Sequence, residues 1–268
     1  MSKKLYFLII SFAYFISNFF LYFLGFEKKP YVLSIFVYGF IGFFIYLFNR
    51  VYRNRPLVFF KIVFVSLCVF SGLLVLNIFP SLGFYPKFAY IIASSFSLYL
   101  LLLSINIYIV SESSEEVIPL LQPAKAMVYG YQLVMVFFSS IIIYKFSPYA
   151  EIPIFSLVLQ AILFLIFYYL FFRSIRWFYM MEGALINPET KLDTIVRLST
   201  FSYVFLSEVS IILVFFPLED FARAMIVSGV LFVVSNLINN YLIHKITSRL
   251  LIDSLLMLSF LYLLTNFL

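Results

Sequence analysis

Two groups of residues in this chain combine side-chain types and spacings that chemistry can use. The first centres on Leu206-Ser207-Glu208-Val209-Ser210, which sets a carboxylate inside an apolar run from about residue 198 to 216. Downstream, Asn236, Asn239 and Asn240 stand at i, i+3 and i+4, and Ser228, Asn236, Asn240 and His244 share a four-residue spacing. One face of a helix there is therefore polar. A carboxyl with amides for company is the material of a proton or cation relay, and equally of the hydrogen bonds that join helices in lipid. The second group is Arg173, Arg176 and Trp177, two guanidiniums one turn apart beside the sole tryptophan. That combination suits an anionic lipid headgroup, a lipid-linked phosphate, or simple anchoring at the membrane interface.

Enzymatic chemistries lack their parts. There is no His-Glu-x-x-His, and His244 is the only histidine. No Gly-x-Ser-x-Gly, no glycine-rich nucleotide loop and no paired aspartates for a magnesium-diphosphate substrate occur. Ser228 and His244 lie about 24 Å apart along one helix, too far for a serine–histidine pair. Cys68, the single cysteine, excludes an internal disulfide and a thiolate metal cluster. No catalytic residue, metal or cofactor is assigned.

The elements that must carry these groups are membrane-spanning helices. Of 268 residues 65% are hydrophobic and only 11% charged, with a mean hydropathy of +1.10, far outside the usage of soluble domains. The formal charge of +6 would suggest a nucleic-acid partner in a soluble protein. Here the distribution of the charge matters more than its size, and nucleic acid is not an expected partner. Apolar runs predict spans at about 5–26, 31–48, 57–79, 88–110, 124–144, 152–172, 198–216, 221–243 and 250–268. The fold class is thus an all-α integral membrane protein, a polytopic helix bundle of about nine spans, or eight if the last one fails. Met1-Ser2-Lys3-Lys4 before the first run resembles a signal sequence, but the run is too long and lacks an Ala-x-Ala site, so it reads as an uncleaved span.

Orientation follows from lysine and arginine. With the N-terminus in the cytoplasm, only Lys28, Lys29, Lys87, Lys145 and Arg223 fall on outer segments, and the rest of the 18 lie inside. All connections are short, no internal repeat is visible, and residues 1–268 read as a single transmembrane domain. Its longest cytoplasmic segment, 173–197, begins as an interfacial amphipathic helix, and Asn187-Pro188 reads as the cap of the next helix. Ser113-x-x-Glu116 offers a second cap, in an acidic cytoplasmic loop. The absence of Asn-x-Ser/Thr sequons fits a prokaryotic plasma membrane.

Depth brings the first group together. Glu208 lies about 16 Å from Arg197, and Asn236 about 14 Å from Lys245, both near the middle of a core about 30 Å thick. A central acid costs about 2.5 to 3.5 kcal/mol on insertion scales, so Glu208 is expected to turn inward. There Ser207, Glu208, Asn236, Asn239 and Asn240 form a buried polar site, with an Asn236 amide bonded to the carboxyl. Two function classes remain. One is a non-catalytic membrane subunit or scaffold that contacts the bilayer, anionic headgroups and partner membrane subunits. The alternative is a permease for a small solute, an ion or a lipid, using Glu208 and the Asn236 face. The lack of an inverted repeat and of broken helices favours the first.

The orientation is tested by labelling. In a Cys68→Ala background, Asn54→Cys and Asn187→Cys are expected to react with an impermeant maleimide only from the cytoplasmic side, and Lys145→Cys only from outside. External labelling at position 187 would mean that the spans before it are miscounted.

Overall fold

The computed structural model describes residues 3–23, 30–51, 83–111, 121–145, 153–186, 192–242 and 247–267, and every regular element among them is helical. In chain order these are α1 (Lys3–Phe23), α2 (Pro30–Val51), α3 (Phe84–Ser111), α4 (Leu121–Lys145) and α5 (Pro153–Ile186). Then follow α6 (Leu192–Ile212), a 3-10 turn (Leu213–Phe215), α7 (Asp220–Leu242) and α8 (Ser248–Phe267). Six stretches are long and apolar enough to cross a membrane: Lys3–Phe23, Phe84–Ile107, Pro123–Lys145, Ile154–Met180, Asp193–Phe215 and Asp220–Leu242. A helical membrane protein is what composition predicts. The count of nine is not reached among the described residues: α2 and α8 form without joining that set, and the expected span at 57–79 lies outside them. The Ser113-x-x-Glu116 and Asn187-Pro188 caps, His244 and Cys68 also lie outside them.

The described residues divide into two compact units, Met1–Tyr131 and Gln132–Leu268. In the first, α1 packs most closely on α3 and then on α2. Its buried side recurs every three or four residues, through Phe7, Ile10, Tyr14 and Leu21, the spacing that keeps one stripe of a helix against its neighbour. Ser11 Oγ donates to the carbonyl of Ser95 across the α1–α3 contact, and the Asn18 amide turns back to the Tyr14 carbonyl at 2.8 Å. At the Phe23 end, Leu21, Tyr22 and Ile91 form a core flanked by Phe15, Phe23 and Tyr90. The Phe23 ring lies 4.9 Å from that of Phe84.

In the second unit the α5–α6 pair makes the most extensive contact. Pro153 opens α5 at a position where a missing N–H costs nothing, and the helix runs 34 residues without a break. The stretch expected as a separate interfacial helix from Arg173 is its continuation. Along α6, Ile195, Ser199, Ser202, Leu206, Ser210 and Leu213 are buried at helical spacing, so a row of small serines faces inward. Small residues let backbones approach closely in lipid, where hydrophobicity does not drive helices together. The facing side of α5 supplies bulk instead, with Phe164, Tyr168, Phe171 and Ile175 buried. Pro217 ends the helix, and the 3-10 turn tightens its last residues with a bond from Phe216 N–H to Leu213 O. On the far side of α7, Gly229 permits a close approach by α8: a Cβ there would collide with Leu261 Cδ1.

Ser202 tests the row of small residues, since it is wholly buried and its hydroxyl only returns to the Leu198 carbonyl. Ser202→Ala is expected to leave thermal stability in detergent almost unchanged. Ser202→Leu is expected to lower it by about 1–3 kcal/mol through overpacking. Equal stability of both variants would show that α6 does not need small residues there.

Candidate functional site

Arg173 and Arg176 lie three residues apart on α5, about 60° around the helix from each other, and face α6 across a cleft. The cleft holds about 340 Å³ and is lined by Tyr169, Phe172, Arg173, Arg176, Ser199, Thr200 and Tyr203. Arg176 Nε donates to Ser199 Oγ at 3.0 Å, and its Nη2 to Thr200 Oγ1 at 3.5 Å. Both hydroxyls in turn donate to the Val196 carbonyl, at 2.9 and 2.8 Å. Their protons are thus committed backwards, and their lone pairs are left to orient the guanidinium. Arg173 Nη1 donates to Tyr169 Oη at 3.5 Å, and the Tyr169 ring meets Tyr203 edge-on at 6.2 Å, forming an aromatic wall. No carboxylate is among the described lining residues. The nearby acid on α6, Asp193, pairs with Arg197 at 2.6 Å on an exposed surface. The arrangement presents planar donors with fixed spacing, which matches the oxygens of a phosphate or carboxylate.

Trp177, expected beside these arginines, does not line the cleft. It is only 7% exposed and packs against Phe178 with ring centres 4.7 Å apart. One residue beyond Arg176 is about 100° further round the helix, which takes the indole to a different side.

The expected buried polar site is not assembled. Ser207 is buried, and its hydroxyl donates to the Tyr203 carbonyl at 2.8 Å. Glu208, expected to turn inward, is exposed instead. The cause is register: the inward stripe of α6 is occupied by serines, and Glu208 falls in line with Phe201, Phe205, Ile212 and Phe215, all exposed. Among the described residues no hydrogen bond joins Glu208 to Asn236. On α7, Asn236, Asn239 and Asn240 are half-buried; the Asn240 amide donates to the Asn236 carbonyl at 2.8 Å, while Asn239 Oδ1 is buried without a partner. The Asn240–Asn236 bond braces α7 itself.

A different network lies within the unit. Tyr144 of α4 donates to the Ser210 carbonyl at 2.9 Å, and Tyr168 of α5 shares a 2.9 Å hydrogen bond with Ser210 Oγ. The Gln160 amide donates to the Tyr144 carbonyl at 3.0 Å. The Arg223 guanidinium sits 5.5 Å from the Tyr144 ring centre, bound to Asp220 at 3.1 Å and to the Phe216 carbonyl at 2.9 Å. Tyr144, Tyr168 and Ser210 are fully buried, so the network clasps three helices. Sequence reading passes over the two tyrosines. With 21 tyrosines in the chain, only their register against Ser210 could have marked them.

No protein-family model, no curated protein and no solved structure matches this chain.

Tyr168→Phe removes one hydroxyl from this clasp and leaves the ring in place. It is expected to lower stability by about 0.6 kcal/mol, the mean for such bonds in membrane proteins, and to leave lipid binding untouched. Loss of bound lipid in this variant, read by mass spectrometry of the purified protein, would mean that the clasp and the cleft are one site.

Proposed function

We propose that this chain is a non-catalytic integral membrane protein, a subunit or scaffold, that binds the anionic headgroup of a lipid in the α5–α6 cleft. The observation that carries the reading is Arg176 held by two neutral hydroxyls, so that its charge is positioned by the fold and neutralised by none of its hydrogen-bond partners. Arg173, Tyr169 and Tyr203 complete a wall of donors and aromatic surface at the same mouth. With the N-terminus in the cytoplasm, as the lysine and arginine distribution implies, this mouth opens at the inner leaflet of a prokaryotic plasma membrane. Anionic lipids attract basic residues there by about 1 kcal/mol per charge. The alternative, a permease working through Glu208 and the Asn236 face, draws no support from a carboxyl that is exposed.

The test uses the whole protein in nanodiscs. Arg173→Gln with Arg176→Gln is expected to weaken binding of phosphatidylglycerol over phosphatidylcholine by about 2 kcal/mol, roughly 30-fold. Arg197→Gln, which alters a solvent-exposed pair, is expected to change it little. Unchanged acidic-lipid binding in the folded double variant would reduce these arginines to ordinary anchors.

A further inference from the structure

Glu208 occupies the middle of an outward face. Phe201, Phe205, Ile212 and Phe215 continue that face towards both ends of α6, exposed by 65%, 37%, 55% and 68%. The Phe201 and Phe205 rings stack with centres 5.9 Å apart and planes 7° from parallel, giving one end a flat, ordered surface. At this depth the surroundings of a lone protein chain are acyl tails, which give a carboxyl neither hydrogen bonds nor counter-charge.

Among the described residues nothing supplies a counter-charge there. Among the described residues Glu208 makes no hydrogen bond or ion pair. Arg197, the base nearest to it along α6, is about 16 Å away by helical rise and paired with Asp193. Arg223 is engaged at the other end of the membrane with Asp220 and Phe216. No predicted span carries a lysine or arginine near its centre, so a second copy of this chain would bring no complementary charge either. We propose that this face of α6, centred on Glu208, is a docking surface for a transmembrane helix of another protein, one that bears a lysine or arginine at mid-membrane. Apolar side chains of that helix would pack along the phenylalanine row, and its cation would pair with the Glu208 carboxylate where no water competes. The proposal does not depend on the headgroup reading of the α5–α6 cleft.

The experiment measures association in phosphatidylcholine vesicles by energy transfer between labelled full-length protein and synthetic transmembrane peptides. Each peptide has about 20 leucine and alanine residues between terminal tryptophans, with either a lysine or a leucine at the centre. Wild type is expected to bind the lysine peptide about tenfold or more tightly than the leucine peptide, and Glu208→Gln and Glu208→Leu to lose that preference. Both variants are expected to melt at the wild-type temperature, because among the described residues the carboxyl has no partner to lose. Equal binding of the two peptides by wild type would overturn the proposal, as would a preference that survives in Glu208→Gln. So would a lowered melting temperature in both variants, which would place Glu208 inside the fold. Glu208-dependent self-association of labelled wild-type copies, stronger than peptide binding, would overturn it too and assign the face to a second copy instead.

Discussion

The serine row on α6 is the constraint from which the second unit follows. Ser199, Ser202 and Ser210 allow α6 to lie close against the aromatic side of α5, and in lipid that closeness is what van der Waals packing between helices requires. At one end Ser199 meets Arg176 and shapes the cleft; at the other Ser210 receives Tyr144 and Tyr168. The inward stripe of α6 is taken by Ile195, Leu206 and the serines, and Glu208 lies outward in register with the phenylalanines. One packing decision thus places a cation-lined cleft, a hydroxyl clasp and an outward carboxyl.

Much of this architecture is legible in the residues alone, and the limit of legibility has a physical cause. Composition and run length reveal spanning helices because a bilayer imposes one length and one polarity on every segment that crosses it. The pairing of Arg173 with Arg176 is visible because three residues make nearly one turn. The direction of Glu208 is not, since depth can be counted along a chain whereas azimuth depends on which stripe a neighbour takes. The cost of an intramembrane acid favours an inward turn only if the chain's own interior is the sole shelter, and it leaves out the stripe of serines one residue away. Trp177 departs from expectation for a similar reason: its type fits the interface, but a 100° step carries it to another side. The Tyr144–Ser210–Tyr168 clasp joins residues 42 and 66 positions apart, a pairing that no local pattern announces.

The first unit is held differently. Its α1–α3 contact brings rings together, Phe15 and Phe23 of α1 against Phe84 and Phe88 of α3, beside the hydrogen bond from Ser11. Aromatic surfaces tolerate small slides where a serine row does not, because stacked and edge-on arrangements differ little in energy.

The length of α5 carries a consequence of its own. Thirty-four residues rise about 51 Å, against a hydrocarbon core of about 30 Å, and Arg173 stands about 30 Å from Pro153 along the axis. With Pro153 at one edge of that core, the proposed headgroup cleft would open at the height where a bilayer of average thickness gives way to phosphates. In a thinner membrane the guanidiniums would ride clear of the phosphate plane, and in a thicker one they would be drawn down among acyl carbons unless the helix tilted. Affinity for a headgroup at this position would then be coupled to hydrophobic mismatch, so that the acyl chain length of the surrounding lipid tunes occupancy without touching any residue of the cleft.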